Sequence, residues 1–130
     1  MKKEIQIVSN MCTDSNGIVL GGGVERWTWE LSEMLTKEGY KVRIFQRNDR
    51  PLELNIGGID ITGIKVRNGF IGNILFTLKT NKLLNSQSKT IFISHELLLF
   101  SKIKNGIAVN HGIWWNGDFS KIKKAIIRIL

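Results

Sequence analysis

Short apolar runs and helix-length segments take turns along this chain, and that alternation constrains the fold more than any other feature. Ile5, Ile7 and Val8 form the first run and Val42, Ile44 and Phe45 the second; "GGIDITGIKV", "TIFIS" and "IAVN" supply three more. Between them lie segments of helical period. Val24, Trp27, Leu31 and Met34/Leu35 recur at helix spacing and stop at Glu38-Gly39, a glycine suited to a left-handed cap. "FIGNILFTLKTNKLL" carries Ile71, Ile74/Leu75 and Leu78 on one face, "ELLLFSKI" reads as a short helix ending near Asn105-Gly106, and "FSKIKKAIIRIL" reads as a last helix. Strands that are nearly continuous apolar runs need both sheet faces covered, so the pattern predicts an α/β fold with a doubly wound parallel sheet. Within it, "GGIDITGIKV" is expected to be a strand preceded by a turn.

The chain of 130 residues is 42% hydrophobic, enough for one domain with its own core over 1–130. A single proline and the absence of repeats or low-complexity tracts leave no linker. The start "MKKEIQIVSN" is basic, but its apolar stretch is too short for a signal peptide or a membrane span. One cysteine, Cys12, cannot form an internal disulfide, so a cytoplasmic protein is expected. The net charge of +8 invites nucleic acid as a partner. Yet the basic residues are scattered, dense only at Lys2-Lys3 and in the tail, with no aromatic-interleaved stripe, so no nucleic acid is expected. An anionic lipid surface or a phosphorylated substrate suits the charge better. In the tail, Phe119, Ile122 and Ile126 share a face away from Lys121, Lys124 and Arg128, a basic amphipathic pattern that either covers the sheet or attaches weakly to the inner membrane face.

Parallel strands end at one edge. Ser9-Asn10, Ser94-His95-Glu96 and Asn110-His111-Gly112 each follow a predicted strand, so they are expected there together with Gly21, Gly22 and Gly23, which open the first helix. Bare glycine amides at a helix N-terminus are suited to an anion. Named phosphate motifs fail, however. Arg26 stands where a dinucleotide fingerprint needs its third glycine, and Gly23-Val24 stand where a Walker loop needs Lys and Ser/Thr. The glycines therefore either cradle a phosphate or only let helix and sheet approach closely. His95 and His111 can donate to a phosphate or a sugar hydroxyl and Glu96 can accept a hydroxyl proton, although each also reads as a strand-end residue bonded to backbone. Cys12, His95 and His111 lack any close ligand pair, so no metal is expected. Trp114 and Trp115 are a stacking platform for a ligand, contacts to a further part of the protein, or part of this domain's own core.

With these residues in place, the chain resembles the N-terminal half of a GT-B-fold glycosyltransferase of the large retaining family four. The matching letters are "IQIVSN", "GGGVERW", "LSEMLTKEGYKVRIF", "TIFISHE" and "IAVNHG", in that order, and they span nearly the whole chain. The resemblance implies a Rossmann-like domain and transfer of a sugar from a nucleotide-sugar donor to a sugar or lipid-linked acceptor, with retention and no metal or other cofactor. It places the donor diphosphate at Gly21, Gly22 and Gly23, the catalytic role at His111, and the acceptor at His95 and Glu96 with Trp114 and Trp115. The proline common ahead of the glycines is absent from "SNGIVLGGG". Leu130 is reached before the second, nucleotide-sugar-binding domain, so the resemblance implies that this domain is supplied in cis or as a separate subunit and that this half alone transfers nothing. A non-catalytic Rossmann-like binding or regulatory domain is the alternative, and a dinucleotide-dependent oxidoreductase is disfavoured by the failed fingerprint.

Overall fold

A computed structural model describes residues 3–10, 12–67, 69–93 and 106–108. The elements run β1 (Glu4–Ser9), α1 (Gly23–Lys37), β2 (Lys41–Asn48), β3 (Leu52–Ile56), β4 (Ile59–Lys65), α2 (Phe70–Leu83), β5 (Lys89–Phe92) and β6 (Gly106–Ala108). The strands form one six-stranded sheet in the order β3-β4-β2-β1-β5-β6. Neighbouring pairs are parallel except β3 and β4, which are antiparallel. The expected short helix from Glu96 and the last helix from Phe119 lie outside the described residues.

The expectation of a wholly parallel sheet is therefore corrected at one edge. Leu52, Leu54 and Ile56 alternate with Glu53 and Asn55, and Gly57 and Gly58, both at positive φ (59° and 87°), turn the chain straight back into β4. A two-residue connection can join only antiparallel strands. The turn before "IDITGIK" was legible in the glycines; the strand before the turn was not.

Side-chain parity divides the core in two. On one face Ile5 and Ile7 of β1, Val42 and Ile44 of β2, Ile59 and Ile61 of β4 and Ile91 of β5 pack with Trp27, Leu31 and Leu35 of α1. On the other, Val8, Phe45, Ile64 and Phe92 pack with Phe76 of α2. One helix thus covers each face, as a two-residue strand period requires of a sheet buried on both sides. This mostly parallel sheet with two helices is compatible with a Rossmann-like α/β fold.

Helix α1 forms where its sequence says it should. Trp27, Leu31 and Leu35 are buried, each burial stabilising by ~1.5–3 kcal/mol, whereas Val24 is exposed. At its end Tyr40 N donates to Leu35 O (3.1 Å) and Gly39 N to Thr36 O (3.1 Å), with Gly39 at φ 96°. That is a Schellman cap, which needs its glycine.

Helix α2 departs from its pattern. Its buried residues are Gly72, Phe76, Thr77 and Thr80, while Ile71, Leu75 and Leu78 are exposed at 65%, 37% and 46%. The two threonines bury their hydroxyls at little cost because each donates to its own helix, Thr77 to Asn73 O (3.2 Å) and Thr80 to Phe76 O (2.6 Å). Phe76 is the large side chain by which α2 joins the core on this face, and Gly72 lets the helix start close against the Arg67 carbonyl. No helix among the described residues is long and apolar enough to cross a membrane.

Candidate functional site at the carboxyl edge

Strands β1, β2, β4, β5 and β6 run the same way, so their carboxyl ends share an edge. Strand order reverses there: from β1 the chain moves through α1 to β2 on one side, and from β5 to β6 on the other. A crevice at such a switch point, outside the carboxyl ends of the strands, is where open α/β sheets bind ligands. Backbone pairing reaches the end of this junction, with Ile93 N donating to Val8 O at 3.0 Å.

The long loop from β1 to α1 folds back on itself. Asp14 accepts from the amides of Asn16 (2.8 Å) and Ile18 (2.9 Å), Gly17 turns at φ 83°, and Leu20 N returns to Cys12 O (3.0 Å). A side chain wholly hidden from solvent holds its base. Gln46 of β2 accepts from the amides of Cys12 (3.0 Å) and Thr13 (3.2 Å) and donates to Thr13 O (3.1 Å) and Asn48 Oδ1 (2.8 Å). Gln6 does the same on the other face and at the opposite edge, clamping both the amide and the carbonyl of Asn85.

The loop delivers Gly21, Gly22 and Gly23 to the start of α1, all three exposed. Gly22 is the N-cap, in extended conformation (φ −73°, ψ 156°), and no side chain caps the helix there. None of the three has positive φ, and a Cβ added at Gly21 or Gly23 meets nothing within 4 Å. Neither turn geometry nor close packing of helix on sheet therefore requires these glycines. At Gly22 an added Cβ runs into the Glu25 carboxylate, which folds back over the N-cap. Glu25 thus offers its own negative charge to the helix terminus.

Cys12 lies beneath this region, fully buried, its Sγ donating to Glu25 O at 3.5 Å. Burial first, and then the Glu25 charge, push its thiol up to about 12. A thiol so held stays protonated and is no nucleophile. The sign for stability follows: the unfolded thiol ionises from about pH 9 and the folded one does not, so this group's contribution is complete below pH 9 and is lost as pH rises towards 12. At pH 8 a thiol reagent is expected to label native Cys12 at least about a hundredfold more slowly than the urea-unfolded chain; comparable rates would refute the buried thiol.

A second feature, on the α2 side of the edge, was missed by the sequence reasoning. A cleft of about 810 Å³ is lined by Asn10 after β1, Arg47, Asn48 and Asp49 at the end of β2, Lys65, Val66 and Arg67 at the end of β4, and Leu75 and Lys79 of α2. Arg47 donates to Asn73 Oδ1 and to Arg67 O (2.6 Å), and Lys79 Nζ to Lys65 O (3.0 Å). Burial lowers the pKa of the Arg47 guanidinium. Along the chain these cations look scattered, but Arg47, Lys65 and Arg67 stand at the ends of the apolar runs of β2 and β4, as the expected edge residues follow the runs of β1, β5 and β6. The strand-end rule would have found them had it been applied to every polar residue.

The cleft includes none of the three glycines. His95, Glu96, His111, Trp114 and Trp115 lie outside the described residues. No protein-family model matches the chain, and no curated protein matches it.

Proposed function

We propose that this chain is the acceptor-side half of a sugar-transferring enzyme of the GT-B type, working with a nucleotide-sugar-binding domain in cis or in a separate subunit. The observation that carries the proposal is the Gly21–Gly23 run. It stands exposed on the carboxyl edge of a mostly parallel sheet, at a helix start with no side-chain cap hydrogen bond; none of the three has positive φ, a Cβ at Gly21 or Gly23 would meet open space, and one at Gly22 would meet only the movable Glu25 carboxylate. Once the Glu25 side chain swings away, such amides accept the close approach of a diphosphate, which a side chain at these positions would hold off. His111 would act on the reacting sugar, and His95, Glu96, Trp114 and Trp115 on the acceptor. The site would use the nucleotide sugar as co-substrate, without a metal.

The test joins the chain to its nucleotide-sugar-binding domain and follows transfer across a panel of donors. Gly22→Val should cut transfer at least about tenfold with the melting temperature nearly unchanged, because only the far end of the flexible Glu25 side chain has to move. His111→Ala should lower turnover more than stability. Normal transfer by the Gly22 variant would end the diphosphate reading.

One observation favours a non-catalytic binding domain instead. Glu25 already covers the helix start with a carboxylate. Under the enzymatic proposal Glu25→Gln should tighten nucleotide-sugar binding, since it removes a like charge; no change would favour the self-capped, non-catalytic domain.

A further inference from the structure

We infer that the cleft between the β2 and β4 ends and α2 binds a phosphate ester, so that the acceptor carries a phosphate; the word acceptor rests on the sugar-transfer proposal, the anion site does not. Four cations, Arg47, Lys65, Arg67 and Lys79, line the cleft against one carboxylate, Asp49. Among the described residues none of the four forms an ion pair. The hydrogen bonds of Arg47 and Lys79 go to neutral oxygens, those of Asn73, Arg67 and Lys65. Such bonds aim a cation without neutralising it.

The guanidinium of Arg47 is held at two of its nitrogens by groups on α2 and on the segment before it, and of its five N–H donors at least three remain for a ligand. A pre-oriented fork, with three further cations from two other segments, matches a tetrahedral oxyanion that takes several charge-assisted bonds at once. The concave shape and the volume of about 810 Å³ fit one small phosphorylated molecule or one headgroup. Leu75 lines the cleft and also belongs to the exposed Ile71, Leu75, Leu78 stripe of α2. The phosphate therefore has two sources to be separated, a soluble sugar phosphate or the headgroup of a lipid whose chains meet the stripe.

The experiment titrates the full chain with inorganic pyrophosphate, glucose 6-phosphate and glucose, and with phosphatidylcholine vesicles with and without phosphatidic acid, following backbone amide shifts. Pyrophosphate and glucose 6-phosphate, but not glucose, are expected to shift Arg47, Lys65, Arg67 and Lys79, and the shifts should fade as salt rises from about 0.05 to 0.5 M. Tighter binding to phosphatidic acid vesicles than to glucose 6-phosphate assigns the lipid source; the reverse assigns the soluble one. Arg67→Gln with Lys79→Gln should weaken pyrophosphate binding at least about tenfold. Lys37→Gln with Lys89→Gln, the same loss of charge at the opposite edge, should weaken it less than about twofold. Equal loss in both pairs, shifts centred on Gly21–Gly23, or no binding of any phosphate overturns the inference. Sugar transfer is not measured here, so failure of the anion site and failure of the enzymatic proposal are told apart.

Discussion

Replacing Gln46 with leucine is expected to destabilise the fold by about 3–4 kcal/mol, an unusually large loss for one polar side chain. The size of leucine is close to that of glutamine, so no large cavity forms. What is lost is partnership: the amides of Cys12 and Thr13 and the carbonyl of Thr13 all face the Gln46 carboxamide in the buried interior. Each orphaned buried group costs about 1–3 kcal/mol, and the total is capped because the loop can lift and let water in. The urea midpoint should fall accordingly, and amide exchange at Cys12 and Thr13 should accelerate far more than in Leu31 or Ile44. A loss under about 1 kcal/mol would mean that the turn around Asp14 holds the loop without help.

The second large effect is expected at Gly72. A Cβ there would lie on top of the Arg67 carbonyl, with the Arg67 carbon at 2.6 Å and an Arg47 terminal nitrogen at 3.0 Å. Backbone cannot swing aside as a side chain can, so Gly72→Ala must shift either α2 or the segment before it. Overpacking of this kind costs about 1–3 kcal/mol, and the upper half of that range is expected because the contact is with main chain. Arg47 should lose its bond to Arg67 O in the same step. The variant should thus unfold earlier and also bind pyrophosphate more weakly, whereas Gly23→Ala, where a Cβ meets open space, should leave stability within about 0.5 kcal/mol. An equal effect of the two alanines would remove the argument from close approach.

How far the fold was legible can be judged from particular residues. Trp27, Leu31 and Leu35 announced α1 because one helix face packs on the sheet and nothing else competes for those positions. Strands β1, β2 and β5 were legible because burial on both faces leaves a nearly continuous apolar run, broken by single polar residues such as Gln6 and Thr90. Helix α2 was recognised by its period but its outward face was not foreseen. Periodicity says which residues share a face, and only the neighbouring sheet decides which face is buried. Strand β3 was hidden because Glu53 and Asn55, exposed on an edge, make "LELNI" look like loop.

Gln6 and Gln46 were equally silent. In a strand, glutamine reads as a solvent-facing residue, and its use as an internal clamp depends on a loop distant in sequence. Of the candidate site, the glycines were found at the helix start as expected. The basic cleft was harder to read because its residues come from segments up to about 70 positions apart in the chain, brought together by parallel pairing and by the packing of α2.

The position of β1 in the sheet has a consequence for synthesis. Its neighbour β2 follows at once, with Ile5 beside Val42, but its other neighbour is β5, with Ile5 beside Lys89. At a translation rate of about 5–20 residues per second, the second partner arrives roughly 2–10 s after the first. During that interval the nascent chain holds a hydrophobic strand with one bare edge, and the edge is in the middle of the future sheet rather than at its margin. No lysine or proline guards it between Ile5 and Ser9. The ribosome-bound chain is therefore at its stickiest just before β5 emerges.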